Sequence, residues 1–158
     1  MTKKRVVITG LGAVSSCGNN VKDTWDAVKN GKSGISNITL FDASNHMVKI
    51  AGEVKNFSLE PYGVDKKIAR KIGRFSKFLL GASIEAVNDA GFTKETLQNE
   101  NAGIITGIGI GFSEELNVAY QKYFDPASGV NRIPPLTAPL VLNNEAAANV
   151  AIHFGIHG

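Results

Sequence analysis

The sequence has a single cysteine, Cys17, and no long apolar run among its 158 residues. One cysteine rules out an intramolecular disulfide framework and is typical of a protein from a reducing compartment. No segment has the length and hydrophobicity of a membrane span, and the basic start MTKKR leads into a strand-like segment, not into the apolar core of a signal peptide. The sequence therefore predicts a cytoplasmic protein that does not act at a membrane.

The sequence also has only a small net charge. The net charge of +3 is too small to indicate a nucleic-acid partner. A hydrophobic content of 43% and an aromatic content of 8% are ordinary for a globular protein, and the length suits one domain. We expect a folded chain without an interdomain linker.

Histidine is rare, and the three histidines form no metal-binding motif. His153 and His157 are four residues apart, which would place two ligands on one face of a helix. Gly155 lies between them and is expected to end that helix. No HExxH motif and no nearby cysteine accompany them. We therefore expect no metal site.

Cys17 is a candidate nucleophile because it shortly precedes a predicted helix, and a helix N-terminus lowers the pKa of a thiol. It lies in a Ser-Ser-Cys-Gly loop, however, and the histidines that would activate it are remote in sequence. Distance in sequence does not exclude contact in the fold. A small packing residue is the favoured interpretation.

Two glycine-rich runs follow predicted strands. The first, GLGAVS at 10–15, nearly matches GxGxxG, but no helix begins directly after it and no acidic residue stands about twenty residues on. The second, GIGIGF at 107–112, has Phe112 in place of the third glycine and lacks the GK[ST] ending of a P-loop. The second run is either a tight strand-to-helix turn or a flexible backbone that lines an apolar pocket, with Ile110 and Phe112 as walls.

Hydrophobic periodicity predicts an α/β fold. The expected strands are residues 5–9 and 102–106, with a weaker one at 48–54. The expected helices are 21–30 with Asn20 as N-cap, one long helix from the cap Asp65 to Gly91, 114–124, and 140–154 up to Gly155. Residues 125–139 hold four of the five prolines and are a predicted loop. This order indicates a parallel sheet with too few strands to be complete.

The long predicted helix carries a cluster of basic residues, and no acidic residue occurs between Lys66 and Ile84. Its members are Lys66, Lys67, Arg70, Lys71, Arg74 and Lys77. Like charges at i, i+4 repel by a few tenths of a kcal/mol per pair. Two interpretations stay open: a solvated face, or a docking site for an acidic partner.

Taken together, several segments resemble the amino-terminal part of β-ketoacyl-[acyl-carrier-protein] synthases of the synthase II type. The segments are RVVITGLGAV at 5–14, Gly18, Trp25, Gly31, SGI at 33–35, FDAS at 41–44, AGEV at 51–54, NDAG at 88–91, GIGIG at 107–111, Pro139, Asn143, Ala147, and Phe154 with Gly155. They stand in the order and at the spacing of that family, and they cover essentially the whole chain. Cys17 then belongs to the first strand and turn and is neither a nucleophile nor a ligand.

The resemblance implies that residues 1–158 are the N-terminal portion of the first half of a thiolase-like fold, which is a layered α/β/α/β/α structure in the complete enzyme. The family's nucleophilic cysteine lies in a TACxSG-like turn shortly beyond the position of Gly158, and its two catalytic histidines come later. The catalytic residues are therefore absent from these residues, and we expect the chain alone to be inactive.

The resemblance also implies a function. The family condenses an acyl thioester with malonyl-carrier protein in fatty acid elongation, without cofactor or metal, in the cytoplasm and as a homodimer. The implied partners are acyl carrier protein and the remainder of the synthase chain, with no nucleic acid or membrane. Two alternatives are a non-catalytic subunit of the chain-length-factor type and a free-standing module that binds carrier protein.

Two sets of site residues follow from the resemblance. Those that match the acyl pocket are Gly109, Ile110, Gly111 and Phe112. Those that match the carrier-protein surface are Lys67, Arg70 and Lys71, with Lys66, Arg74 and Arg132 as weaker additions. Residues 133–139 resemble the stretch at the dimer interface that walls the partner's pocket, although Pro134, Pro135 and Thr137 replace a more aromatic sequence.

Overall fold

The computed structural model describes residues 4–99, 101–127 and 132–157. They divide into two compact units. The first comprises the described residues up to Ser58 together with Gly81–Gly91, and the second comprises Leu59–Leu80 and the described residues from Phe92 onward.

In the first unit, helix α1 (Val21–Lys29) forms where the sequence predicts it. Asn20 is the N-cap, and its side-chain oxygen accepts a hydrogen bond of 2.7 Å from the amide of Asp23. The amide of Val21 donates to Glu85 at 2.9 Å, which satisfies another free donor of the first turn. After the helix, Gly31 adopts a φ of 65°, a conformation that favours glycine.

The sheet of the first unit has two short antiparallel strands, β1 (Ile35–Asn37) and β2 (Ile50–Gly52), with Ser36 opposite Ala51. Strand β2 confirms the weak strand predicted at 48–54, whereas β1 was not predicted. Beside this sheet the buried carboxylate of Glu53 accepts hydrogen bonds from the amide and hydroxyl of Thr39, at 2.8 and 2.7 Å.

Residues 5–9 are not a strand, and that prediction is wrong. Val6 and Ile8 are 92% and 85% exposed. The physical reason is that a strand needs a hydrogen-bonded neighbour, and no described residue pairs with this segment.

The loop after this segment packs closely on helix α3 (Arg74–Asp89) through residues of the first unit. A Cβ at Gly12 would overlap the carbonyl oxygen of Ala82, so only glycine fits there. The amides of Leu11 and Ala13 donate to Asp89 and Glu85, at 2.9 and 3.0 Å. Acidic side chains of α3 thus bind the loop backbone.

The predicted long helix is two helices, which corrects that prediction. Helix α2 (Lys66–Ala69) is capped by Asp65, whose carboxylate accepts from the amide of Lys67 at 2.6 Å. Helix α3 begins separately at Arg74. Ile68, expected on the apolar stripe of one continuous helix, is exposed in α2.

The remaining helices of the second unit are α4 (Lys94–Asn99), α5 (Ser113–Phe124), α6 (Thr137–Leu140) and α7 (Glu145–Phe154). Helix α5 matches its prediction, and Gly155 ends α7 with a φ of 70° as expected. The helix predicted over 140–154 starts later, and α6 lies within the predicted loop except for its last residue, Leu140. Helix α4 was not predicted.

Residues 102–106 also form no strand, so this second strand prediction is wrong. Their exposure alternates along the segment: Ile104 and Thr106 are partly buried, whereas Ile105 is fully exposed. This period of two is that of an extended chain. No described residue pairs with the segment, and the predicted parallel sheet does not form among the described residues.

Candidate functional site

The basic residues from Lys66 to Lys71 lie on and just after helix α2, and all four are exposed. Lys66 pairs with Glu60 across 3.1 Å. Within the described part of the chain, no acidic side chain pairs with Lys67, Arg70 or Lys71. Three cationic groups therefore face solvent within five positions of sequence, and we call Lys67, Arg70 and Lys71 the basic surface.

Arg74 and Arg132 differ in their surroundings. Arg74 is half-buried, with its guanidinium 3.8 Å from the Glu114 carboxylate and 5.1 Å from the centre of the Phe78 ring. Its charge is thus engaged within the second unit. Arg132 is exposed.

Two carboxylates bind the start of helix α3, and sequence reasoning missed both. The amide of Arg74 donates to Glu115 of α5 at 2.8 Å, and the amide of Gly73 donates to Glu145 of α7 at 3.3 Å. Free amides at a helix N-terminus favour anionic acceptors. The break between α2 and α3 therefore coincides with a junction of three helices.

Glu145 is 9% exposed and is the centre of a buried polar group. The hydroxyl of Ser76 and the side-chain amide of Asn149 both donate to its carboxylate, the latter at 2.7 Å. Burial raises the pKa of Glu145, and nearby Glu115 raises it as well, whereas the donors from Gly73 and Asn149 lower it. One feature of the sequence could have identified Glu145: it is an acidic residue at the start of an alanine-rich segment.

The glycine-rich run 107–112 directly precedes α5. Ile110 is 80% exposed, whereas Gly111 and Phe112 are partly buried. Gly109 has open space around it, but a Cβ at Gly111 would lie 2.8 Å from the ring of Phe75. The predicted pocket residues thus form one loop that is tightly packed at its C-terminal end.

A cavity of about 290 Å³ lies along α6 and α7. Leu140 and Ile152 line it together with Lys71 and Glu145. None of the residues 109–112 lines this cavity. This cavity therefore does not join the basic surface to the glycine-rich run.

The other candidates from the sequence have the following surroundings. Cys17 is half-buried, and its Sγ lies 3.9 Å from the carbonyl oxygen of Lys32. His153 is partly buried against Phe154, and burial lowers its pKa.

In residues 4–99, 101–127 and 132–157, no group of three histidine, cysteine or acidic side chains is arranged to hold a metal ion. Of the helices in those ranges, none has the length and hydrophobicity to cross a membrane.

Residues 3–158 match the family model described as the N-terminal domain of β-ketoacyl synthase. The chain belongs to this family. A curated relative from Staphylococcus aureus (strain COL), 3-oxoacyl-[acyl-carrier-protein] synthase 2, is 39% identical over 155 residues. That match covers 98% of this chain and 37% of the relative, so this chain spans little more than a third of the relative's length.

Solved structures share the fold. The ishigamide ketosynthase/chain length factor superposes with a TM-score of 0.86 at 27% identity, over 98% of this chain and 38% of that chain. A type II polyketide synthase ketosynthase in complex with its acyl-carrier protein superposes with a TM-score of 0.67 at 19% identity, over 98% and 40%. The chain therefore has the N-terminal part of the thiolase-like fold, which confirms the predicted fold class.

Proposed function

We propose that the chain is the N-terminal portion of a 3-oxoacyl-[acyl-carrier-protein] synthase that elongates fatty acids. The observation that carries this proposal is the 39% identity to a synthase of that name along 98% of the chain. In the complete enzyme an acyl group moves from carrier protein to a cysteine thiolate. Malonyl-carrier protein then loses carbon dioxide, and the resulting carbanion attacks the thioester to give a 3-oxoacyl chain two carbons longer.

The reacting groups lie outside these residues in this proposal. Condensation needs a thiolate of low pKa, donors for the developing enolate and an oxyanion hole. The only thiol here, Cys17, is half-buried beside a backbone carbonyl. We therefore expect the nucleophile and the two histidines on polypeptide beyond Gly158, and no condensation by residues 1–158 alone. No cofactor or metal takes part.

The basic surface is the proposed contact for acyl carrier protein, which is acidic. Lys67, Arg70 and Lys71 are exposed and form no ion pair with the described acidic side chains, so an anionic partner need not displace an internal ion pair. Lys66 and Arg132 contribute at its margin. Arg74 contributes less because Glu114 and Phe78 already engage its guanidinium.

Gly109, Ile110, Gly111 and Phe112 are the proposed acyl-pocket residues. Ile110 is exposed in this loop, so its side chain can change rotamer without moving a packed core. This arrangement suits a residue that opens and closes a pocket. Residues 133–139 are proposed to adjoin the partner's pocket in a homodimer, and the complete enzyme is expected in the cytoplasm.

A second candidate is a non-catalytic subunit of the chain-length-factor type. It is favoured by one observation, the likeness to a ketosynthase/chain length factor at a TM-score of 0.86. The two candidates differ in the complete protein, because only the synthase has the cysteine nucleophile.

Charge reversal tests the proposed function. We expect Arg70→Glu with Lys71→Glu in the complete synthase to raise the Kd for holo carrier protein by at least about tenfold. Isothermal titration calorimetry measures this, and the difference from wild type should shrink at about 1 M salt, where the Debye length is about 3 Å. The matched control reverses Lys32 and Lys49, two exposed lysines of the first unit. Equal losses in both double variants would contradict the assignment.

A further inference from the structure

The glycine-rich run is anchored at one end only. At Gly107 and Gly109 a Cβ would meet nothing within 4 Å. At Gly111 it would lie 2.8 Å from Cδ2 and Cε2 of Phe75 and 2.9 Å from Cγ2 of Ile108. Cβ atoms do not approach heavy atoms this closely, so the Phe75 ring leaves no room for a side chain at position 111.

The backbone next to Phe75 is hydrogen-bonded to helix α5, which follows the loop. Phe75 follows Arg74, whose amide donates to Glu115 at 2.8 Å in the first turn of α5. Gly111 precedes that same turn by two residues. The first turn of α3 therefore contacts the loop through the aromatic ring of Phe75, and it contacts the helix that follows the loop through the carboxylate of Glu115.

These contacts determine where Ile110 lies. The backbone of Gly111 cannot move toward α3 without displacing the ring, whereas the open positions at Gly107 and Gly109 place no such limit on the other end. Ile110 is bonded directly to the anchored glycine. A change in ring size at position 75 is thus transmitted to Ile110 through a single peptide unit.

We propose that Phe75 is a specificity-determining residue that sets the acyl-chain length accepted by the pocket, by positioning Gly111 and hence Ile110. This inference rests on the proposed function, in which Ile110 is the pocket residue. Ile72 and Leu80, on either side of Phe75 in the sequence, are buried core residues. Phe75 itself is only partly buried and does not belong to that core. A residue that only filled the core would change stability but not the relative rates for long and short acyl chains.

The test is the ratio of kcat/KM for long over short acyl-carrier substrates in the complete synthase. We expect Phe75→Leu and Gly111→Ala each to change this ratio by at least about tenfold, the effect of one methylene in an apolar pocket. The two changes should be opposite in direction, because one variant removes atoms at the contact and the other adds them. Phe78→Leu, one turn further along α3, is the control and should leave the ratio unchanged.

A third variant separates this inference from the function on which it rests. If Ile110→Phe changes the ratio while Phe75→Leu and Gly111→Ala do not, the role of Phe75 is overturned and the pocket assignment stands. If Ile110→Phe has no effect either, both are overturned. Should Phe75→Leu fail to fold, Gly111→Ala probes the same contact from the loop side, and an unchanged ratio in that variant overturns the inference.

Discussion

Ser76 donates a hydrogen bond from its hydroxyl to the carboxylate of Glu145, and both side chains are buried. The two residues are 69 positions apart in sequence and join helix α3 to helix α7. With the amide of Gly73 on the same carboxylate, Glu145 satisfies two donors at the start of α3. The buried carboxylate of Glu145 thus binds the first turn of α3, the helix that follows the basic surface in the sequence.

The pH dependence of stability should show the raised pKa of Glu145. Its folded-state pKa is raised, so the folded protein binds more protons than the unfolded one, and stability falls as pH rises from the unfolded pKa through the folded pKa. Glu145→Gln keeps the hydrogen-bonding shape but cannot ionise. We expect its stability relative to wild type to increase over that pH range, measured by urea unfolding at several pH values.

Glu145→Ala is the control for the hydrogen bonds. It leaves Ser76 and Gly73 as buried donors without this acceptor, which costs about 1–3 kcal/mol for each donor. The variant should be destabilised at every pH. A glutamine variant whose stability tracks that of wild type across the whole range would show that Glu145 does not titrate differently on folding.

Glu53 should behave in the opposite way. Hydrogen bonds from the hydroxyl and amide of Thr39 lower the pKa of Glu53. Its contribution to stability is therefore fully present above the unfolded pKa and is lost as pH falls through the folded pKa. We expect Glu53→Gln to lose less stability than wild type on acidification, in the same unfolding experiment. Parallel acid profiles of the two proteins would contradict this.

The close approach at Gly12 predicts a steric effect. A methyl group there would overlap the Ala82 carbonyl, so Gly12→Ala should destabilise the protein by about 1–3 kcal/mol through overpacking. Gly103→Ala is the matched control, because a Cβ at Gly103 meets nothing within 4 Å. Thermal unfolding compares the two variants. An equal melting temperature for both would rule out the close packing of the loop on α3.

Local signals in the sequence predicted the ends of several helices. Asn20 and Asp65 cap α1 and α2 through their own side chains, and Gly155 ends α7, because caps depend on residues within one turn. The family pattern also predicted the fold class, which the match over residues 3–158 confirms.

Contacts between residues far apart in the sequence could not be predicted from it. The break between α2 and α3 coincides with acceptors from Glu115 and Glu145, which lie 41 and 72 positions away from their donors. Residues 5–9 have a strand-like sequence, but strand formation depends on a neighbour, and none of the described residues is one. The sequence pattern predicted a strand there but could not show whether a neighbouring strand is present.

The most direct measurement is the nucleotide sequence of the gene beyond the codon for Gly158. We expect the reading frame to continue into a Thr-Ala-Cys turn shortly afterwards, with two histidines further on, because the proposed function places the reactive thiol outside residues 1–158. A reading frame that closes without such a cysteine would contradict the assignment of these residues to a catalytic synthase.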